Sequence, residues 1–186
     1  GPFAYKVKKP LRLSFIDYST AERRAAMCRE ELRLNRRHAP GLYVDVVPIA
    51  GTPDAPRVGD TRSPPFEHAL RMLQFDRRLE LTQLLQSGAV EAHELQEFGR
   101  RIAQMHAAAA SPTADEAFGV PDRVHQVTFD NFEEIERVLP GRVDGYRVTR
   151  LRTHAQHLFD NCRLPLEQRR QQGGVRECHG DLHCGN

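Results

Sequence analysis

Residues 177–186, Glu177-Cys178-His179-Gly180-Asp181-Leu182-His183-Cys184-Gly185-Asn186, hold two histidines, two cysteines, an aspartate and an asparagine within nine positions. Two chemistries draw on such a set. Phosphoryl transfer is mostly positioning and charge neutralisation, so it needs a carboxylate at the acceptor hydroxyl and an oxygen ligand for Mg²⁺ close by. Asp181 can take or orient the hydroxyl proton. Asn186, five residues on, can turn its amide oxygen to the metal if the loop doubles back, which Gly180 and Gly185 permit. Zinc is the other chemistry, since His179 and His183 stand at i, i+4 and cysteine is a preferred ligand. The spacing argues against it, because Cys178-His179 and His183-Cys184 are adjacent pairs, whereas structural sites separate their paired ligands. A metal-assisted hydrolase would need that zinc. In a purely structural role, His179 would only bond backbone carbonyls in a polar loop.

The elements that must position this loop read as follows. Residues 3–8 alternate, Phe3, Tyr5 and Val7 on one face and Ala4, Lys6 and Lys8 on the other, the period of a half-buried strand that Pro10 ends. Ser19 followed by Glu22 has the form of a capping box, and no Pro or Gly interrupts the run to Pro40, so a helix is expected over about 20–38. At 100° per residue Ala25, Cys28 and Leu32 form one apolar cluster and Met27 and Leu34 another, with Glu31 between them. A carboxylate centred on an apolar stripe is costly to bury unpaired, so Glu31 calls for a cationic partner or a place at the rim.

Strands are expected at 42–49 and 69–75, separated by a turn or hairpin-bearing loop from Gly51 to Pro65. Leu95, Phe98, Ile102 and Met105 mark an amphipathic helix of about 91–110. Residues 111–127 read as a loop, with a short helix after Asn131 and another over about 146–162. Strand, helix, strands and then helices suit an α+β fold with segregated layers.

Composition narrows the function classes. Lys plus Arg is 27 against 25 for Asp plus Glu, a net charge of +2, too mild for an obligate nucleic-acid or anionic-membrane binder. No apolar run approaches a membrane span and residues 1–10 do not resemble a signal peptide, so the cytoplasm is the expected compartment. Cys28, Cys162, Cys178 and Cys184 form no CxxC pair and are expected as thiols. All but three basic residues are arginines, and the three lysines, Lys6, Lys8 and Lys9, cluster where a compact ammonium could serve a phosphate. Arginine pairs such as Arg23-Arg24 and Arg36-Arg37 read as solvated helix faces.

HGDLHCGN resembles the catalytic loop of the aminoglycoside phosphotransferase and choline-kinase-like branch of the protein-kinase-like fold. The chain order is similar throughout: a strand with Lys6, a helix with Glu31, a strand ending near Phe75 and a long helix ending at Met105-His106. More narrowly, YKVKKP, FIDYST, EELRLNRR and ECHGDLHCGN resemble bacterial aminoglycoside-phosphotransferase-like proteins often fused to a P-loop ATPase domain. The resemblance implies a two-lobe α+β fold, with a partial N-lobe over 1–75 and a helical C-lobe over 76–186. It also implies ATP and Mg²⁺ as cofactors and a small-molecule hydroxyl as acceptor, with neither nucleic acid nor membrane as partner.

The roles it implies are Asp181 as catalytic base, His179 orienting the loop, Asn186 on the metal, Lys6 on the phosphates and Glu31 holding Lys6. Met72 to Phe75 would bind adenine through the backbone. The Ala4-x-Lys6 spacing favours Lys6 over Lys8 as the phosphate lysine. The family's glycine-rich loop is not found before Lys6, nor its second metal-binding aspartate after Asn186. The chain is therefore expected to be the middle of a kinase-like domain that turns over no acceptor by itself, any P-loop domain lying outside it. A nucleotide-binding module without turnover is the alternative function.

Overall fold

A computed structural model describes residues 1–13 and 16–184. They group into two compact units, Gly1–Arg101 with the segment from His179 onward, and Ile102–Cys178, each described by itself. The architecture is α+β, with four antiparallel strands and helices.

In the first unit β1 (Phe3–Val7) leads to α1 (Ala21–Arg36), then β2 (Tyr43–Thr52), β3 (Ala55–Val58) and β4 (Pro65–Leu73). The sheet order is β1-β4-β2-β3, so β4 is central, paired to β1 on one side and β2 on the other. Leu70 and Ala69 on β4 are fully buried, and Ala69 packs with Val47 and Ile49 of β2. The β2–β3 hairpin turns through Pro53-Asp54, where proline pre-sets its own φ. Gly51 holds φ +89°, and a Cβ there would stand 2.5 Å from the Ala55 carbonyl oxygen, so only glycine fits. β4 starts four residues earlier than the expected 69, because Glu67 and Pro65 join the ladder opposite Ile49 and Ala50, with Phe66 between them at a register shift no periodicity announces.

The N-cap of α1 is Thr20, whose hydroxyl accepts the Arg23 amide at 3.3 Å; Ser19 turns its amide (3.0 Å) and hydroxyl (2.6 Å) to Asp17 instead. Arg24 corrects the reading of Arg23-Arg24 as a solvated pair. It is buried, its Nε donating to Glu67 Oε2 at 2.6 Å and its Nη1 to the Tyr18 carbonyl at 2.8 Å. The arginine lies on the same helix stripe as Ala25 and Cys28, and only a carboxylate delivered by β4 makes that burial tolerable. After β4 come a short 3₁₀ turn at Arg77–Leu79, α2 (Leu81–Gln86) and the start of α3 (Ala92–Ala108).

The second unit centres on α4 (Pro121–Val138) and α5 (Gly145–Gln171). α4 replaces the expected loop through residue 127. Val120 precedes it with no side-chain cap, so the usual start signal is missing, while Pro121 sits in the first turn, where its lack of an N–H costs nothing. α5 runs nine residues past the expected end at 162, continuing through Pro165. The two helices meet through rings: His125 stacks on Phe129 at 4.1 Å between centroids and meets Phe159 edge-on at 4.6 Å, its Nε2 bonded to Gln156 Oε1 at 2.9 Å. Arg170 donates to the carbonyls of Thr113, Ala114, Glu116 and Phe118, tying the preceding loop to α5. Among the described residues, no helix is long and apolar enough to cross a membrane.

Removing one partner of a buried pair leaves the other charge stranded, so Arg24→Ala should cost about 3–5 kcal/mol in urea unfolding, whereas Arg24→Met with Glu67→Leu should recover most of it. A double variant no more stable than Arg24→Ala would mean that the Arg24 bond to Tyr18, not the ion pair, carries the effect.

Candidate functional site

β1 sets Lys6 directly opposite Leu70, and Val46 of β2 pairs with the same Leu70, so the lysine stands in the row over the centre of the sheet. On α1, Ala25 and Cys28 are buried, and Glu31 lies one turn beyond Cys28 on the same side. Strand and helix thus bring a cation and a carboxylate together. Lys6 Nζ donates to Glu31 Oε1 at 2.7 Å, and Lys8 Nζ donates to Oε2. The three groups differ in exposure: the Lys6 side chain is 59% exposed, Lys8 13% and Glu31 15%. Burial alone would raise Glu31, but the hydrogen bonds and charges of the two lysines outweigh it and hold the carboxyl below its ordinary range. Burial alone would lower Lys6, and the Glu31 hydrogen bond and charge hold its ammonium above its ordinary value.

The loop from His179 is organised from within. Gly180 takes φ +80°, and the Asp181 amide donates to His179 Nδ1 at 3.3 Å, which requires that nitrogen to be the unprotonated one. His183 Nε2 stands 3.9 Å from Asp181 Oδ2, and the Asp181 side chain is 86% exposed. Further along, the Cys184 carbonyl accepts from the amide and hydroxyl of Thr82 at 3.3 and 3.0 Å. Thr82 lies in the first turn of α2, whose amides have no partner within the helix. The sequence reading missed Thr82. A threonine two residues after an uncapped helix start carries no signal for a carbonyl about a hundred positions downstream.

Lys6, Glu31, His179 and Asp181 line one open cleft of about 370 Å³, with Met27 and Tyr43 supplying apolar surface. Four residues singled out from sequence are thereby brought together. Met72 and Phe75 do not line it. Met72 sits within β4 between Ala4 and Tyr43, and Phe75 is exposed two residues past the strand. The Leu73 and Gln74 amides already donate to the carbonyls of Leu42 and Pro2, at 2.9 and 2.8 Å. Asn186 lies outside the described residues. Among the described residues no three His, Cys, Asp or Glu side chains are grouped to hold a metal ion. Chemically, the cleft offers an ammonium to an anionic ligand and an exposed carboxylate to a hydroxyl proton.

No family model and no solved structure matches the chain. Three curated proteins are similar to it: uncharacterized proteins Rv2004c and MT2060 of two Mycobacterium tuberculosis strains, H37Rv and CDC 1551, and Mb2027c of Mycobacterium bovis. Each is 22% identical over 182 residues, covering 98% of this chain and 35% of its own length. The chain thus spans about a third of the length of the curated relatives it matches.

The opposite shifts of Glu31 and Lys6 define a pH window. The depressed carboxyl stabilises above its unfolded range and that contribution is lost as pH falls through the folded value; the raised lysine stabilises below its unfolded range and that contribution is lost as pH rises through the folded value. The deficit of Glu31→Gln against wild type should therefore be flat from about pH 5 to about pH 10 and shrink on both sides, read as urea midpoints. A deficit independent of pH would mean that Glu31 contributes by packing rather than by charge.

Proposed function

We propose that this chain is part of a protein-kinase-like phosphotransferase that moves a phosphoryl group from ATP to a hydroxyl of a small molecule. The observation that carries the proposal is the cleft itself. An ion pair between β1 and α1, Lys6 with Glu31, shares its walls with Asp181 of the HGDLHCGN loop. Those are the cation, the residue that steers it and the carboxylate that the sequence resemblance names, and they come from three separate stretches of chain. The α+β architecture, with strand, helix and strands ahead of the helices, fits the same fold.

In this reading Lys6 neutralises phosphate charge that would otherwise oppose the approach of the acceptor oxygen, and Glu31 fixes where its ammonium can be. Asp181 meets the acceptor hydroxyl, aligns its lone pair for attack and takes its proton as the new P–O bond forms and the bond from the γ-phosphorus to the bridging oxygen breaks, releasing ADP. His179 receives the Asp181 amide and holds the loop in the conformation that aims the carboxylate. Mg²⁺, when bound, shields the phosphates. With Asp181 at the acceptor hydroxyl, Glu31 held by the two lysines and Glu30 paired with Arg33, Asn186 would be the ligand this chain supplies to it. One amide oxygen would hold the ion poorly by itself, and phosphate oxygens and water would supply the remaining ligands. Adenine binding by the backbone from Met72 to Phe75 belongs to the same proposal.

In the full-length natural protein, Asp181→Asn should lower turnover by roughly 10²–10⁴-fold while leaving ATP affinity nearly unchanged. Lys6→Ala should impair ATP use more than Lys8→Ala. Near-normal turnover in Asp181→Asn removes that residue from the role, and ATP binding by wild type without transfer to any hydroxyl acceptor would make the protein a nucleotide-binding module.

A further inference from the structure

Glu31 is shared, and the sharing is unequal. Its Oε1 is held by Lys6, whose side chain is mostly exposed and lines the cleft; its Oε2 is held by Lys8, which is nearly buried and does not line it. Lys8 stands just past the end of β1, two residues from Lys6 and so on the same side of the extended chain. Its ammonium lies 5.5 Å from the centre of the Tyr18 ring, a cation–π distance. Tyr18 is itself anchored twice: its amide donates to the Leu11 carbonyl at 2.8 Å, and its carbonyl accepts from the buried Arg24. Lys8 is thus built into the framework, whereas Lys6 ends at the open face.

The charges make this arrangement consequential. Lys6 with Glu31 alone would be neutral, and Asp181 on the same cleft would leave its wall negative, repelling a polyphosphate. Glu30, also on the cleft, is already paired with Arg33 at 2.6 Å. A second ammonium on Glu31 leaves the Lys6–Glu31–Lys8 cluster with a net charge of one positive unit, close to the ligand but off the contact surface. We infer that Lys8 is a positioning residue: it neutralises and fixes Glu31 so that the charge of Lys6 is available to the phosphates of a nucleotide. This rests on the reading of the cleft as a nucleotide polyphosphate site.

The test uses the full-length protein, with inorganic tripolyphosphate titrated calorimetrically and ATP kinetics measured on the same preparations. Lys8→Met should weaken tripolyphosphate binding and raise KM for ATP by about tenfold, the effect of one unit charge at a partly shielded distance, with a smaller change in kcat. Lys8→Arg should restore most of the loss. Adding Glu31→Gln to Lys8→Met should bring tripolyphosphate affinity back towards wild type, because the carboxylate that Lys8 neutralised is gone. A merely structural lysine would show no such rescue. Unchanged affinity in Lys8→Met, or failure of Glu31→Gln to rescue it while Lys8→Arg does, overturns the inference and, in the second case, makes Lys8 a direct phosphate ligand. If wild type binds neither tripolyphosphate nor ATP, the nucleotide-site reading fails first and the role of Lys8 with it.

Discussion

A carboxylate on the apolar side of a helix has to be neutralised where it stands, and Glu31 is neutralised twice. Much of the first unit follows from that requirement. β1 must run alongside β4 in the register that puts Lys6 opposite Leu70, since a slip of one residue would send the lysine to the other face of the sheet. α1 must lie with Cys28 and Ala25 inward so that Glu31, one turn on, reaches the strand. The pair therefore couples the placement of the helix to the register of the sheet, and a change in either moves the ammonium that faces the cleft.

A second ion pair makes the helix placement specific. Arg24 to Glu67 joins the first turns of α1 to the beginning of β4, while Glu31 joins its later turns to β1 and the residues just beyond. Two buried or half-buried pairs at different heights on one helix oppose both sliding and rotation, since either motion would strand a charge away from water. The segment between them carries Tyr18, which touches both: its carbonyl receives Arg24 and its ring lies beside Lys8. The loop from His179 is held by different means. Its carboxylate is exposed, and its shape comes from a left-handed glycine, a backbone-to-imidazole bond and the Thr82 anchor rather than from burial.

The sequence by itself determined the local features whose physics is local. Alternation showed β1 and the side on which Lys6 and Lys8 fall, helical periodicity showed α1 and the position of Glu31 between apolar clusters, and the demand that such a carboxylate find a cation needed no coordinates. The resemblance of HGDLHCGN singled out Asp181 and His179, and the fold brings both to the cleft that Lys6 and Glu31 line. Tertiary structure decided whatever depended on a partner distant in the chain. Arg24 reads as a surface arginine until β4 delivers Glu67, and two lysines of one strand face differ only when Tyr18 folds over Lys8 and leaves Lys6 open. α4 begins without a side-chain cap and α5 passes through Pro165, so local start and stop signals misjudged both, where packing of His125, Phe129 and Phe159 offsets what the termini lack. Burial and charge compensation are sums over neighbours, and a chain read one residue at a time shows which groups need compensation but not which neighbours provide it.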